Sequence, residues 1–308
     1  MKLDIIVPTY NEEGNVKDFY NKCEEVLKGI KHNYIFINDG STDNTLDKLK
    51  ELYRIDDENV KVISFSRNFG KEAAIYAGLS NVKGDYACII DADLQQNPKY
   101  LVKMYNFLND HKEYDSICMC QKQKKKRFFQ HLFYKIMKNL SNMNIVDGAS
   151  DFRMFRKNMV NAIIKLCEKN RFSKGIFSFV GFNTYYDNYE VEERKSGTTK
   201  WNTNKLFNYA FDGIISFSTK PLRAATYTGI FISGLGFLYL IYIIVKTLLI
   251  GKDTPGFATV MCVLLFLGGI NLIFLGIIGE YLGKTYNETK NRPIYIEKEK
   301  YGFDEDIL

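Results

Sequence analysis

Apolar and polar positions change their period several times along this chain. Leu3–Pro8 is a short apolar run ending in turn residues, after which Val16, Phe19, Tyr20, Cys23, Val26, Leu27 and Ile30 recur at helical spacing. Tyr34–Ile37 predicts a second strand, followed by Asp39-Gly40-Ser41 and a helix carrying Leu46, Leu49 and Tyr53. Val60–Phe65 predicts a third strand with a helix near Lys71–Val82. Tyr86–Ile90 predicts a fourth, with a helix near Tyr100–Asn109, and Ser116–Cys120 a fifth. Strands that are apolar throughout and alternate with helices predict an α/β domain whose mostly parallel sheet is covered on both faces. After residue 121 the regularity weakens.

The second pattern is longer. From Thr226 to Gly283, 58 residues carry four charges: Lys246, Lys252, Asp253 and Glu280. Tyr227–Val245 and Thr254–Gly279 contain no charge at all. Each is long enough to cross a hydrocarbon core of about 30 Å as a helix. The polar break at Gly251–Pro255 allows only a tight hairpin, so both ends of the pair face one side. Lys195, Lys200, Lys205, Lys220 and Arg223 precede it, and Lys284, Lys290, Arg292, Lys298 and Lys300 follow it. An excess of Lys and Arg stays on the cytoplasmic side. The expected layout is therefore a cytosolic catalytic domain over 1–203, an interfacial segment over 204–225, two membrane helices near 226–249 and 255–282, and a cytosolic tail over 284–308. MKLDIIVPTYNEE has no long apolar stretch of a secretory leader, so the location expected is the inner (cytoplasmic) membrane with the large domain cytosolic. Gly279-xxx-Gly283 admits close helix packing and a homo-oligomer, although glycine-rich spans give that spacing little weight.

Composition sharpens this picture. Mean hydropathy is −0.22, an average over two different materials. The net charge of +6 lies wholly outside the hairpin, whose four charges cancel. Aromatic residues at 15% exclude a disordered chain, and the polarity of most of the sequence excludes a many-span transporter. Lys122, Lys124, Lys125, Lys126 and Arg127 precede an aromatic segment, Phe128–Leu140, with helical apolar spacing. That arrangement suits an anionic membrane surface or a lipid phosphate. A plain solvated loop is the bland alternative, and nucleic acid is disfavoured because the membrane spans already explain the basic run. Leu206–Phe217 is similarly amphipathic.

Ligands of parallel sheets bind beyond the carboxyl ends of the strands. Four polar clusters fall there: Pro8–Glu12, Asp39–Asp43, Ser66–Gly70 and Asp91-Ala92-Asp93. Asp91 and Asp93 are two apart in an extended segment, so their carboxylates point the same way and suit Mg²⁺ or Mn²⁺ on a phosphate. Asp39 can accept hydrogen bonds from a nucleobase or ribose, while Ser41, Asp43 or Asn44 can cap the next helix. No G-x-G-x-x-G, P-loop, H-E-x-x-H or G-x-S-x-G pattern is present.

IIVPTYNEEGN (Ile5–Asn15), NDGSTDNT (Asn38–Thr45), SRNFGKEAAIYAGL (Ser66–Leu79) and GDYACIIDADLQQNP (Gly84–Pro98) follow in this order, with DFRMFRKNMV (Asp151–Val160), RKSGTTKW (Arg194–Trp201) and the hairpin after them. The set resembles glycosyltransferase family 2, in its polyprenyl-phosphate (bactoprenol) branch related to dolichyl-phosphate mannose synthase. The resemblance implies a GT-A-type catalytic domain that moves a sugar, with inversion, from a nucleotide sugar (usually a UDP-sugar) to undecaprenyl or another polyprenyl phosphate, for cell-surface glycan modification. It implies that Pro8, Tyr10, Glu12, Asp39, Lys71 and Asp91 hold the nucleotide, and that Asp91, Asp93 and Gln95 hold Mg²⁺ or Mn²⁺. Asp93, Asp151, Arg194 and Lys200 are the implied catalytic residues, with Lys126, Arg127 and Trp201 toward the acceptor phosphate and membrane. By the same analogy a flippase and a second glycosyltransferase are pathway neighbours.

Two departures stand out: Asn38 replaces an aspartate common in the family, and Thr198-Thr199-Lys200-Trp201 stands where many relatives have Glu-Ser-Lys-Tyr. The rival role for Asp151 is a partner of Arg153 or Arg156. A processive synthase is disfavoured because Trp201 does not sit in a Gln-x-x-Arg-Trp pattern, and a non-catalytic scaffold because the acidic set is intact. A phosphate monoester is mostly dianionic at neutral pH, with a second pKa near 6. Such a nucleophile needs positioning and charge screening more than a strong base.

Overall fold

The computed structural model describes residues 1–121, 146, 148–192, 215, 218–250 and 256–303. Two compact units separate, one holding the sheet and the residues after Arg292, the other holding two long C-terminal helices. In the first unit the sheet strands are β1 (Leu3–Thr9), β2 (His32–Asn38), β3 (Val60–Phe65), β4 (Tyr86–Ile89), β5 (Ser116–Gln121), β6 (Ala149–Arg156), β7 (Thr184–Tyr189) and β8 (Glu297–Tyr301). Their spatial order is β7-β5-β6-β4-β1-β2-β3-β8.

The first four strands are parallel, and Ile5 of β1 lies between Tyr34 of β2 and Cys88 of β4. Every one of them is almost wholly buried, which is why they read as continuous apolar runs. The helices α1 (Val16–Val26), α2 (Thr45–Ile55) and α4 (Lys99–Asp110) share one core with the odd-numbered side chains of β1, Leu3, Ile5 and Val7. Each fully buried Leu, Ile, Val or Phe of that core contributes about 1.5–3 kcal/mol. Helix α3 (Lys71–Ser80) covers the opposite face, where a Cβ added at Gly78 would lie 2.2 Å from Ile6 Cγ2. Only glycine permits that approach.

The strand order reverses at β1, with β2 and β3 to one side and β4 to the other. The crevice beyond the carboxyl ends of β1 and β4 is therefore the topological switch point. Strand β6 runs antiparallel beside β4, pairing Tyr86 with Arg156 and Ile89 with Arg153. Carried two residues further, this register sets Asp151 opposite Asp91. Helices α5 (Lys157–Ile164) and α6 (Ser173–Phe179) follow β6.

The predicted strands and helices of the first 121 residues all form, with ends differing by a few residues. Strands β6, β7 and β8 carry no such pattern. β6 includes Arg153, buried against the Phe177 ring at 5.1 Å, and β7 is a polar, partly exposed strand next to β5. The polar segment after the hairpin is not a free tail, because β8 pairs antiparallel with β3.

In the second unit, α7 (Lys220–Ile250) and α8 (Phe257–Thr289) contain 31 and 33 residues. Each holds a 27-residue stretch of mean hydropathy 2.1, long and apolar enough to cross a membrane. Their large side chains are not buried within the chain: Leu248 is 81% exposed and Leu265 69%. That rules out a pair of buried core helices. The amphipathic stretches Phe128–Leu140 and, save for Ile215, Leu206–Phe217 lie outside the described residues.

Candidate functional site

The loops after β1, β2 and β3 are joined by their own side chains. Thr9 Oγ1 donates to Ile37 O at 2.9 Å, and Pro8 lies in register with Ile37. Asn11, with φ at +56°, donates its N–H to Ser41 Oγ at 3.0 Å and accepts from Thr42 N at 2.8 Å. Glu12 N–H donates to Thr45 Oγ1 at 2.8 Å, and the Glu12 carboxylate accepts from Asn15 Nδ2 at 2.6 Å. Asp43, not Asn44, serves the start of α2, accepting from Thr45 N at 3.0 Å.

Asp39 organises the third loop. Its two carboxylate oxygens accept the N–H groups of Phe69 at 2.6 Å and Gly70 at 2.9 Å. The residue is 4% exposed, and burial pushes its carboxyl above the usual range, while the two N–H groups and Arg67 pull it part of the way back. Next to it Gly40 holds φ at +62°, and a Cβ there would lie 2.3 Å from Arg67 C. Asp39 thus fixes backbone around the crevice with both carboxylate oxygens. Asp39→Ala leaves two N–H groups without acceptors, so thermal or urea unfolding should show a loss of about 1–3 kcal/mol. A loss below a few tenths contradicts this role.

At the switch point itself three charges meet. Lys71, the first residue of α3, places Nζ 2.6 Å from Asp91 Oδ1 and 3.5 Å from Asp151 Oδ2. Gln96 Nε2 donates to Asp91 Oδ2 at 3.1 Å, and Asp91 N–H returns to Gln96 Oε1 at 3.0 Å. Asp93 is 8% exposed and accepts from Gln95 N at 3.1 Å, across a turn in which Leu94 has φ at +60°. Asp151 Oδ1 is buried with no hydrogen-bond partner among the described residues.

Burial pushes the Asp151 carboxyl up, but Lys71, Lys174 and Arg153 together outweigh it and leave it below the usual range. Burial pushes the Lys71 ammonium down, and Asp91 and Asp151 outweigh that too, leaving it raised. The signs agree. The Asp151 contribution is complete above the ordinary carboxylate pKa of about 3.9 and fades as pH falls through its lower folded value. The Lys71 contribution is complete below about 10.4 and fades as pH rises through its higher folded value. Both groups are charged across the neutral range.

Of the arginines considered for Asp151, Arg153 acts on it through charge, while both guanidiniums donate hydrogen bonds to backbone carbonyls. Arg153 Nε donates to Ser150 O at 2.9 Å, and Arg156 donates to Tyr114 O at 2.7 Å and Leu108 O at 2.5 Å. A further carboxylate, which sequence reasoning did not single out, is Glu72. It accepts from both the N–H and Oγ of Ser173, tying the first turn of α3 to the start of α6. It lies within the Ser66–Leu79 segment, but its role could not be read there because its partner lies 101 residues away.

Arg194, Lys200, Trp201, Lys126 and Arg127 lie outside the described residues. Of the remaining candidates, Asp91, Asp93, Gln95, Lys71 and Asp151 come together at one edge, with Pro8 at the end of β1 and Tyr10, Glu12 and Asp39 on the adjoining loops. Among the described residues no group of three or more His, Cys, Asp and Glu forms a metal cage. Two carboxylates are nevertheless what Mg²⁺ takes when substrate phosphates complete its shell, and every donor here is a hard oxygen. Asp91 and Asp93 therefore fit such an ion, with Lys71 sharing the charge of Asp91.

The model of the Glycosyl transferase family 2 family matches residues 4–164. That of the GtrB C-terminal hairpin matches residues 220–285. The chain belongs to glycosyltransferase family 2, and it is an enzyme of that class. It is 46% identical over 304 residues to CsbB of Bacillus subtilis (strain 168), covering 96% of this chain and 91% of that one. It is 39% identical over 306 residues to the SfII prophage-derived bactoprenol glucosyl transferase of Shigella flexneri, covering 98% and 99%. Among solved structures, glucosyl-3-phosphoglycerate synthase from Mycobacterium tuberculosis, crystallised with Mn²⁺, UDP and glucosyl-3-phosphoglycerate, aligns with TM-score 0.50 at 14% identity. That alignment covers 70% of this chain and 77% of the synthase, a likeness of fold.

Proposed function

We propose that the enzyme transfers a sugar from a nucleotide sugar, of the UDP class, to the phosphate of a polyprenyl lipid at the cytosolic face of the membrane. The observation that carries this reading is the convergence of Asp91, Lys71 and Asp151 at the switch point of a chain that also carries a GtrB C-terminal hairpin. The bactoprenol transferase among its relatives supports the acceptor, and the Lys and Arg flanking both ends of the hairpin support the orientation.

In the reaction a lipid phosphate oxygen forms a bond to the anomeric carbon while the bond from that carbon to the nucleotide diphosphate breaks in line. The diphosphate leaves with the electron pair. Asp91 and Asp93, with Gln95 beside them, would hold a divalent cation, which when bound neutralises charge on the departing diphosphate. Lys71 holds Asp91 and Asp151 in place, and its charge helps keep Asp151 ionised. Asp151 orients the acceptor side, and its depressed pKa suits an orienting carboxylate better than a general base. The dianionic acceptor needs no deprotonation.

Purified full-length protein, given Mn²⁺ or Mg²⁺, undecaprenyl phosphate and a panel of UDP-sugars, should convert at least one donor to a sugar-phosphopolyprenol detected by mass spectrometry. A panel that yields no such lipid contradicts the reading.

A further inference from the structure

The turn that carries Asp93 is held from outside by a strand end that the catalytic account does not use. Leu94 takes φ +60°, a left-handed conformation that a bulky side chain keeps only where its surroundings fix it. Within the turn, Gln95 N–H donates to Asp93 Oδ1 at 3.1 Å, and Gln96 exchanges two hydrogen bonds with Asp91. From outside it, Glu192 N–H donates to Gln95 O at 3.1 Å. The peptide planes on both sides of the Gln95 Cα are therefore tied down, one to Asp93 and the other to Glu192.

Glu192 is itself secured. Its carboxylate accepts from Asn97 Nδ2, and Asn97 Oδ1 accepts from Lys99 N at 2.9 Å, at the first residue of α4. Two residues earlier, Glu190 N–H donates to the Tyr100 hydroxyl at 3.3 Å. The Tyr100, Phe152 and Tyr189 rings meet edge to face, with centroids 5.8, 6.0 and 6.4 Å apart. The topology brings these groups together. Strand β7 is parallel to β5, and β5 and β4 are both antiparallel to β6, so the chain leaves β7 at the same sheet edge as Asp91 and Asp93. Asn97 and Glu192 are both partly buried, where a hydrogen bond to a carboxylate is stronger than in open water.

We propose that Asn97 and Glu192 are positioning residues, a clasp that holds the Asp93 turn in shape for a divalent cation. The proposal rests on the reading that Asp91 and Asp93 hold that cation, and adds what keeps the turn ready for it. The clasp acts through the Gln95 backbone: with the turn fixed beforehand, the cation does not have to order it on binding. Loss of a group that supports metal ligands in this way costs about 10–100-fold in metal affinity.

The test is Mn²⁺ binding to the full-length protein in detergent with UDP present, followed by the EPR signal of free Mn²⁺ and corrected for Mn²⁺ held by UDP alone. No turnover is involved. Asn97→Ser keeps a hydroxyl for the Lys99 N–H, is too short to reach Glu192, and changes no charge. Glu192→Ala removes the other half of the clasp. Each should raise the Mn²⁺ Kd by about tenfold. Glu192→Gln, whose amide oxygen can still accept from Asn97, should stay within about threefold of wild type, which separates the clasp from the loss of a negative charge. Asp187→Asn breaks an ion pair with Lys103 at 2.6 Å that joins the same strand to the body of α4, and should leave the Mn²⁺ Kd unchanged. A Kd within about twofold of wild type in both Asn97→Ser and Glu192→Ala, or an equal rise in Asp187→Asn, overturns the clasp. If Asp93→Asn weakens Mn²⁺ binding while the clasp variants do not, the clasp alone is wrong. If the wild type binds no Mn²⁺ in the presence of UDP, the cation reading falls and takes the clasp with it.

Discussion

Asp93→Asn is expected to lower kcat/KM by about a thousandfold while leaving the fold almost unchanged. The two halves of that expectation have separate physical causes. Asparagine keeps Oδ1, the acceptor of the Gln95 N–H at 3.1 Å, so the left-handed turn at Leu94 survives. What it removes is the charge of one of the two carboxylates proposed to hold a cation on the diphosphate. Mg²⁺ dehydrates reluctantly and relies on one or two carboxylates, so halving the protein's charge there weakens the ion where the leaving group develops charge. Initial rates over a Mn²⁺ series, beside a melting curve, separate the effects. Residual activity above a tenth of wild type, or a melting point that falls in step with activity, contradicts the assignment.

Lys71→Met is the second large effect, and it reaches beyond one carboxylate. The lysine places one ammonium against both Asp91 and Asp151. Methionine preserves the aliphatic stem and deletes the charge, leaving two carboxylates at the switch point without that partner. The expected fall in kcat/KM is about a hundredfold or more, since preorganised charge is usually the largest single catalytic contribution. The loss of stability should be much smaller than for a fully buried pair, because the Lys71 side chain is 43% exposed and solvent screens it. Without Lys71, Asp151 loses one of the charges that lower its pKa and keeps only Lys174 and Arg153 against burial, so its pKa rises and the acidic limb of the rate profile moves to higher pH. Lys71→Arg should recover part of the rate and restore the limb. A Lys71→Met enzyme with an unshifted pH profile would show that Lys71 acts only as a structural tether.

Much of this site was legible in the chain before any coordinate. The strands that feed it are buried on both faces and so announce themselves as apolar runs, and their polar ends mark the crevice. Asp91 and Asp93 stand two residues apart beyond one such run, and Asp39 beyond another. What could not be read was pairing across distance. Asp151 reaches Asp91 only because β6 is antiparallel to β4 in one register, and β6 hides its strand character behind Arg153 and Arg156. Its ion-pair partner is Lys71, 80 positions earlier; Arg153 adds only charge, and both neighbouring arginines donate hydrogen bonds to backbone carbonyls. Glu72 was invisible for the same reason, since its function is a contact with Ser173. Strand β8 lay in a polar stretch of alternating charge, EKEKY, which becomes a strand only because β3 offers an open edge.

The central claim is that the oxygen attacking the sugar belongs to a lipid phosphate. Undecaprenyl phosphate labelled with ³²P, incubated with the full-length enzyme, a divalent cation and the accepted nucleotide sugar, tests it in one step. The account predicts that every labelled phosphate converted is retained in a sugar-phosphate-lipid, with one unlabelled nucleoside diphosphate released per product. Label released as inorganic phosphate, or nucleoside diphosphate released with the sugar on water or protein and the lipid unchanged, would contradict it.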